Sequence, residues 1–264
     1  MRTSWLVAAA ILATPIAPAA AQTEVDVELV LAVDVSRSMD ADERLLQRNG
    51  YVEAFRHREV IRAIESGLIG RIAVTYFEWA GVGRSKVIAP WTIISNAGDA
   101  HAFADMLKAV PPGRERGTSI SAGLDFGVEL LGQSPARGLR RVIDVSGDGP
   151  NNTGPPVTQT RDDVVAQGII VNGLPIVIRP ASATSFYDIP DLDIYYEDCV
   201  IGGPGAVLVT VEDVTQFEVA IRRKLVLEIV DRQARIMPAQ FDVRPRVDCL
   251  IGEKARARRF RNLN

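Results

Sequence analysis

Short apolar runs alternate with longer amphipathic stretches along most of this chain. Residues 27–33 form a nearly continuous apolar run, which is typical of a central parallel strand buried on both faces. Residues 41–66, rich in Arg, Glu, Leu and Ala, have the composition and spacing of a long amphipathic helix. Further strands are predicted at 71–79, 86–94, 141–146, 169–178 and 206–210, and further helices at 98–109, 119–131, 157–167 and 213–230.

Strands that alternate with helices predict an α/β fold. We expect a Rossmann-like, doubly wound, mostly parallel sheet with helices on both faces. The link between residues 71–79 and 86–94 is short and contains Gly81-Val82-Gly83, which is typical of a hairpin. This hairpin predicts one antiparallel strand at the edge of the sheet.

The segment before the first strand has the features of a secretory signal. Arg2 supplies a positive charge, residues 6–13 a short apolar core, and Ala19-Ala20-Ala21 an A-x-A cleavage site before Gln22. We therefore predict a cleaved signal peptide and a periplasmic or secreted protein. No later apolar run is long enough to predict a transmembrane segment. The predicted division of the chain is a signal peptide over 1–21, a domain over 22–230 and a C-terminal extension over 231–264 with little periodicity.

Composition narrows the class of partner. The chain has 264 residues, of which 47% are hydrophobic, and a formal net charge of −3. The hydrophobic content favours a well-packed globular domain, and the slightly acidic balance argues against a nucleic-acid-binding protein. The oligomeric state is left open.

The chain contains two cysteines, Cys199 and Cys249. In an oxidising compartment an even pair favours one disulfide, which would join the C-terminal extension to the domain. Two buried free thiols are the alternative interpretation.

Three short motifs carry the candidate chemistry. They are Asp34-Val35-Ser36-Arg37-Ser38, Gly117-Thr118-Ser119 and Gly147-Asp148-Gly149. The first and third follow predicted strands and the second opens a predicted helix. All three can therefore meet beyond the carboxyl ends of the strands, where open α/β sheets bind ligands. Their carboxylates and hydroxyls, with no His or Cys, suit Mg²⁺, Mn²⁺ or Ca²⁺ and argue against zinc and copper.

In their order and spacing these motifs resemble von Willebrand factor type A domains that carry a metal-ion-dependent adhesion site. That family has D-x-S-x-S after the first strand, a Thr in a Gly-containing loop and an Asp after the fourth strand. The resemblance covers residues 25–230, and more closely the chain resembles secreted bacterial proteins of this fold with no assigned function. By this pattern the metal ligands are Asp34, Ser36, Ser38, Thr118 and Asp148.

The resemblance implies binding rather than catalysis. In such domains a carboxylate from a partner protein fills the last coordination position of the ion. We therefore expect a divalent cation, Mg²⁺ first with Mn²⁺ or Ca²⁺ as alternatives, and a protein partner. One position departs from the family, because Gly147 stands where Thr or Ser is common, and whether Ser146 replaces that residue is open.

Other interpretations fit parts of the sequence. Asp34 and the serines after it could cap the following helix in a structural domain without metal. Residues 147–152 are close to a motif of haloacid-dehalogenase-like phosphatases, in which Asp34 would be the phosphoryl-accepting nucleophile. However, Ser36 and Asn152 stand where that family has carboxylates, so no acid/base is evident. A serine hydrolase is weaker still, since no Gly-x-Ser-x-Gly motif is present.

Two charged stretches of the chain lie outside the three motifs. Residues 187–198 are acidic and aromatic, and we interpret them as a solvated loop leading into a helix that ends at Gly202-Gly203, with a cation or partner site as the alternative. Residues 254–261 are basic, and we interpret them as a solvated terminus, with contact to anionic lipid or to a protein as the alternative.

Overall fold

The computed structural model describes residues 22–178, 189–230 and 246–261. Its strands are β1 (Thr23–Asp34), β2 (Ile72–Trp79), β3 (Ser85–Ile94), β4 (Ala136–Gly147) and β5 (Ile169–Pro175). Its α-helices are α1 (Ala41–Arg56), α2 (Arg58–Glu65), α3 (Ala97–Ala109), α4 (Ile120–Gly132), α5 (Val157–Ala166), α6 (Leu192–Tyr195), α7 (Phe217–Ile229) and α8 (Ile251–Arg261). A π-helical turn, Tyr196–Val200, follows α6, and a 3₁₀ turn, Val214–Gln216, precedes α7.

The five strands form one sheet in the order β3-β2-β1-β4-β5. β1 pairs in parallel with β2 and β4, β4 pairs in parallel with β5, and β3 runs antiparallel to β2 at one edge. The predicted α/β class, with a mostly parallel sheet and one antiparallel edge strand, is confirmed. β1 is the central strand, so the chain after it emerges in the middle of the carboxyl edge.

Alternate side chains of β1 enter two separate cores, one on each face of the sheet. Leu29 and Leu31 pack in the core that α1, α2, α3 and α7 complete. Val30 and Ala32 pack in the core that includes residues of α4, α5, α6 and the π-helical turn. Both sets are fully buried, which explains why the apolar run of β1 does not alternate with polar residues.

Two predicted elements differ in the structure. The helix predicted over 41–66 is two helices, because His57 is extended and its Nδ1 accepts a hydrogen bond from the Glu59 backbone N–H at the start of α2. The strand predicted over 206–210 was wrong. In the described part of the chain, Leu208 of this segment forms an isolated bridge with Gly173 of β5. Just beyond both elements, Val211 forms another isolated bridge with Ile176.

The C-terminal region is more ordered than its sequence predicts. Residues 251–261 form α8, and a disulfide joins Cys249, just before it, to Cys199 in the π-helical turn. The helix predicted to end at Gly202-Gly203 is α6 with this turn, which ends at Val200. The predicted signal peptide, residues 187–188 and residues 231–245 lie outside the described residues. Within the described residues no helix has the length and apolarity to cross a membrane.

Candidate metal site

The centre of the candidate site is Asp34, the last residue of the central strand. Its side chain is fully buried. The backbone N–H of Ser36 donates to Asp34 Oδ1 over 2.6 Å, which fixes the turn that follows β1. From α1, Gln47 Nε2 donates to the Asp34 carbonyl over 3.2 Å. Asp34 is therefore held at the carboxyl edge of the sheet by its strand, its own loop and a neighbouring helix.

A row of hydrogen bonds joins the first motif to the third. The hydroxyl oxygens of Ser36 and Ser38 lie 2.7 Å apart and share a hydrogen bond. The Ser38 hydroxyl donates in turn to Asp148 Oδ1 over 2.7 Å. Asp34, Ser36, Ser38 and Asp148 thus lie together although Asp148 is 110 residues from Ser38.

Thr118 belongs to a loop that is attached to the Asp148 loop. Its backbone N–H donates to Asn152 Oδ1 over 3.1 Å, and its carbonyl accepts from the Asn152 backbone N–H over 2.9 Å. The Thr118 side chain is buried. Among the described residues its hydroxyl makes no hydrogen bond with the other four predicted ligands, so the structure joins Thr118 to them through the backbone.

Asn151 connects the site to the C-terminal part of the chain, a role that no motif in the sequence indicates. Its backbone N–H donates to the Tyr195 hydroxyl over 3.1 Å, and its Nδ2 donates to Glu253 Oε1 of α8 over 2.7 Å. Its Oδ1 accepts from the Ser121 backbone N–H over 3.2 Å. Asn151 is buried and contacts α4 and α8 through its side-chain amide and α6 through its backbone, and these elements lie far apart in sequence.

The electrostatics of the pair Asp34 and Asp148 favour a bound cation. Burial, and next the negative charge of Asp148, raise the pKa of Asp34 well above its usual value. Asp34 Oδ2 is buried without a hydrogen-bond partner among the described residues. Two carboxylates this close are costly to ionise together, and a divalent cation would offset that cost.

The donor set fits a hard cation bound largely by hydroxyls. It combines the unpartnered Asp34 Oδ2 with hydroxyl oxygens and Asp148, which are oxygen ligands of the kind that Mg²⁺, Mn²⁺ and Ca²⁺ accept. The described residues contain no group of three or more His, Cys, Asp or Glu placed to hold a metal ion. A cation bound here would therefore depend on the serine and threonine oxygens.

Tyr196 explains why position 147 departs from the family pattern. A Cβ at Gly147 would lie 2.9 Å from the Tyr196 hydroxyl and 3.0 Å from Asp34 Oδ2. The phenol from the π-helical turn lies where a Thr or Ser side chain would begin. Burial, and next the charge of Asp34, raise the pKa of Tyr196 well above its usual value, so its hydroxyl stays protonated. The Ser146 hydroxyl is buried and has no hydrogen-bond partner in the described structure.

Comparisons with known proteins agree with this architecture. The model of a family described as "Protein of unknown function (DUF1194)" matches residues 24–233. No curated protein sequence matches the chain.

Three solved structures are similar in fold to this chain. Proximal thread matrix protein 1 from the mussel byssus, with a zinc-occupied MIDAS motif, is 14% identical with a TM-score of 0.52, over 79% of this chain and 48% of that chain. The pilus adhesin SpaC from Lactobacillus rhamnosus GG is 12% identical with a TM-score of 0.58, over 78% of this chain and 31% of that chain. A von Willebrand factor type A protein from Catenulispora acidiphila is 12% identical with a TM-score of 0.54, over 78% of this chain and 43% of that chain.

This chain spans less than half the length of each of these proteins. At such identities the likeness shows the fold alone, and that fold is the von Willebrand factor A type. The resemblance inferred from the three motifs is confirmed at that level.

Proposed function

The chain belongs to the DUF1194 family of proteins of unknown function, and we propose that it is an exported binding protein that holds a divalent cation and through it binds a carboxylate of a protein partner. Mg²⁺ is the ion we expect first, with Mn²⁺ and Ca²⁺ as alternatives. The ligands proposed are Asp34, Ser36, Ser38, Thr118 and Asp148.

The observation that carries this proposal is the row of short contacts from Asp34 to Asp148. Its members come from two loops that are distant in sequence, and at one end of the row Asp34 Oδ2 is buried without a partner in the described structure. A helix cap explains neither the link to Asp148 nor the unpartnered oxygen. A cation bound by several neutral hydroxyls keeps much of its positive charge, so it attracts one more anionic oxygen. This is the physical reason for expecting a carboxylate from a partner.

The geometry gives less support to a phosphohydrolase. In that mechanism the residue two positions after the nucleophile is an acid/base, but Ser36 stands there and its hydroxyl bonds to Ser38. Asn152, at the position of the closing carboxylate, accepts the Thr118 backbone N–H instead. We therefore propose that the protein binds and does not catalyse. Hydrolysis of a generic aryl phosphate that is lost in Asp34→Asn would contradict this.

Calorimetric titration of residues 22–264 with Mg²⁺, Mn²⁺ and Ca²⁺ tests the cation directly. We expect binding by the native chain and none by Asp34→Ala, because this substitution removes the central carboxylate. Zn²⁺ is included because the motif of the mussel protein holds zinc, although the donor set predicts weaker zinc binding here. As a second measurement, the cation should raise the unfolding temperature of the native chain and not that of the variant.

Asp26→Ala is the matched control. Asp26 is a buried aspartate at the other end of the same strand, where it accepts backbone N–H bonds from Ile69, Gly70 and Arg71. Its loss should lower stability but leave cation affinity unchanged. Equal cation affinity in the native chain and Asp34→Ala would refute the assigned site.

A further inference from the structure

Three loops meet on one side of the candidate metal site. The Val35 carbonyl accepts from the Glu115 backbone N–H over 2.9 Å, and Ser36 and Glu115 form a parallel bridge. The Arg116 carbonyl accepts from the Gly81 backbone N–H over 3.2 Å. The loop after β1, the β2–β3 turn and the segment before Thr118 are therefore joined through their backbones beside the predicted ligands.

These loops carry a concentration of positive charge on a chain that is acidic overall. Their basic residues are Arg37, Arg84, Arg114 and Arg116, all exposed, and their exposed acidic residues are Asp40 and Glu115. Arg84 pairs with Glu115 over 2.7 Å. Within the described residues, Arg37, Arg114 and Arg116 form no ion pair. We call these three side chains the arginine rim.

The segment that carries two of these arginines is held by a buried ion pair. Arg48 pairs with Glu78, and both side chains are less than 5% exposed. Arg48 also donates to the carbonyls of Leu107 and Val110, over 2.8 and 2.7 Å, and Glu78 accepts the Gly113 backbone N–H over 3.0 Å. The chain leading to Arg114 is thus fixed before any partner arrives, which lowers the entropic cost of binding.

The start of α1 carries the opposite charge. Asp40, which caps α1, and Asp42 in its first turn are exposed, and they lie two and four residues after Ser38. Among the described residues, the surface beside the predicted ligands is therefore positive at the arginine rim and negative at the start of α1. Such an arrangement favours one orientation of a charged partner and disfavours the reverse.

We propose that the arginine rim recognises an acidic stretch of a protein partner, in which one carboxylate reaches the cation and further Asp or Glu residues on one flank contact Arg37, Arg114 and Arg116. This inference rests on the proposed function, because the cation provides the anchor from which the flank is oriented. An acidic peptide is favoured over a polyanion such as a sulfated polysaccharide, because the negative α1 side would repel a uniformly charged chain extending across the site.

Two short synthetic peptides test the proposal. One has a central Asp followed on one side by Glu residues, and the other has Gln in place of each Glu. With saturating Mg²⁺ and low ionic strength, we expect the Glu peptide to bind the native chain roughly tenfold more tightly than the Gln peptide. That preference should shrink as salt is added, because exposed charges are screened. Arg114→Ala combined with Arg116→Ala should reduce the preference to about twofold or less, because only Arg37 of the three arginines remains.

A matched control and a second readout separate recognition from damage to the site. Arg58→Ala with Arg62→Ala removes two exposed arginines of α2, away from the three loops, and should keep the preference. Calorimetry should show that Mg²⁺ affinity does not fall in the Arg114 and Arg116 variant, since removing nearby positive charge does not weaken a cation site. A variant that loses Mg²⁺ as well as the peptide would contradict a role in partner recognition.

The other possible results of these experiments also support or contradict the proposed role of the arginine rim. Equal binding of the two peptides, no binding of either, or a preference that the double substitution leaves undiminished would overturn the arginine rim. A sulfated polysaccharide that binds more tightly than the Glu peptide would overturn the choice of partner. A preference that persists in chelator and disappears in the double variant would support the rim while contradicting the metal-dependent function on which it rests.

Discussion

At the scale of single residues, the contact between Gly147 and Tyr196 distinguishes this site. The family pattern places a Thr or Ser before the last aspartate, and this chain places a buried tyrosine hydroxyl there from another part of the sequence. A Thr or Ser at position 147 and the Tyr196 hydroxyl each place one hydroxyl close to Asp34. The Tyr196 ring cannot retreat easily, because it is packed in the core with Cys199 and Val200.

Gly147→Ala should therefore destabilise the protein. The added Cβ would lie 2.9 Å from the Tyr196 hydroxyl and 3.0 Å from Asp34 Oδ2, closer than van der Waals contact. Crowding of this kind costs about 1–3 kcal/mol of unfolding free energy. Urea denaturation in chelator measures the change. The same substitution in a Tyr196→Phe background should cost less, because the hydroxyl is gone. An equal cost in both backgrounds would show that the hydroxyl contact is not the cause.

The residues of the candidate site were partly predictable from the sequence. Asp34, Ser36, Ser38 and Asp148 stand in short motifs whose order is visible, and the structure brings them together. Tyr196 and Asn151 were missed as contributors because neither belongs to a local motif. Asn151 contacts residues 30 and 102 positions away, and a single sequence holds no signal for such pairs.

At the scale of elements, the site is an assembly of loops attached to one another by asparagines. Asn152 joins the Asp148 loop to the Thr118 loop at the start of α4, and Asn151 joins it to α8. The disulfide between Cys199 and Cys249 holds the start of α8 near the same loop. The positions of the predicted ligands therefore depend on side chains that are not themselves predicted ligands.

Asn152→Ala should weaken cation binding roughly tenfold while the domain remains folded, because partners that orient metal ligands contribute at about this level. The loss follows from the Thr118 backbone N–H, which would be buried without its acceptor. Calorimetry with Mg²⁺ measures the affinity. Asn96→Ala is the control. Because Asn96 caps α3, its loss should lower the stability of the fold and leave cation affinity unchanged. Unchanged affinity in Asn152→Ala would show that Thr118 is positioned without it.

The order of elements was easier to predict than their ends. The strands of the sheet were recognisable because each is a short apolar run followed by a turn or a helical pattern. Residues 206–210 have the same pattern but form isolated bridges, and at this point the Asn172 side chain, rather than a strand, accepts the Val207 backbone N–H. α8 was missed because its basic sequence shows no apolar stripe, and its position is set by the disulfide and by Glu253.

At the scale of the whole molecule, a buried charge cluster joins the last helix of the domain to the sheet. Lys224 of α7 pairs with Asp144 of β4 and with Glu228, and all three side chains are at most 1% exposed. Asn172 of β5 donates to Glu228 over 2.8 Å. Burial, and next the charge of Asp144, raise the pKa of Glu228 to about 7. The cluster therefore makes stability depend on pH near neutrality.

Because the pKa of Glu228 is higher in the folded state, the folded state keeps a proton that the unfolded state releases. The stabilisation that this bound proton provides is complete below the ordinary pKa of a glutamate and is lost as pH rises through about 7. The free energy of unfolding, measured by urea denaturation in chelator, should therefore fall between about pH 5 and about pH 8. Glu228→Gln should flatten this fall, whereas Glu218→Gln, an exposed position on the same helix, should not. Parallel pH profiles for native chain and Glu228→Gln would rule out Glu228 as the source.

The first strand and the last helix begin at opposite edges of the sheet, and this favours the first strand's end of the chain for attachment in a binding measurement. β1 begins at one edge of the sheet and reaches Asp34 about 35 Å away at the other, if a strand rises about 3.3 Å per residue. α8 begins against the Asn151 loop at that second edge. A sensor surface or fluorescent label attached before Gln22 would leave the metal face open to solution. An attachment that follows α8 would lie only one short helix away from the loop of the candidate site.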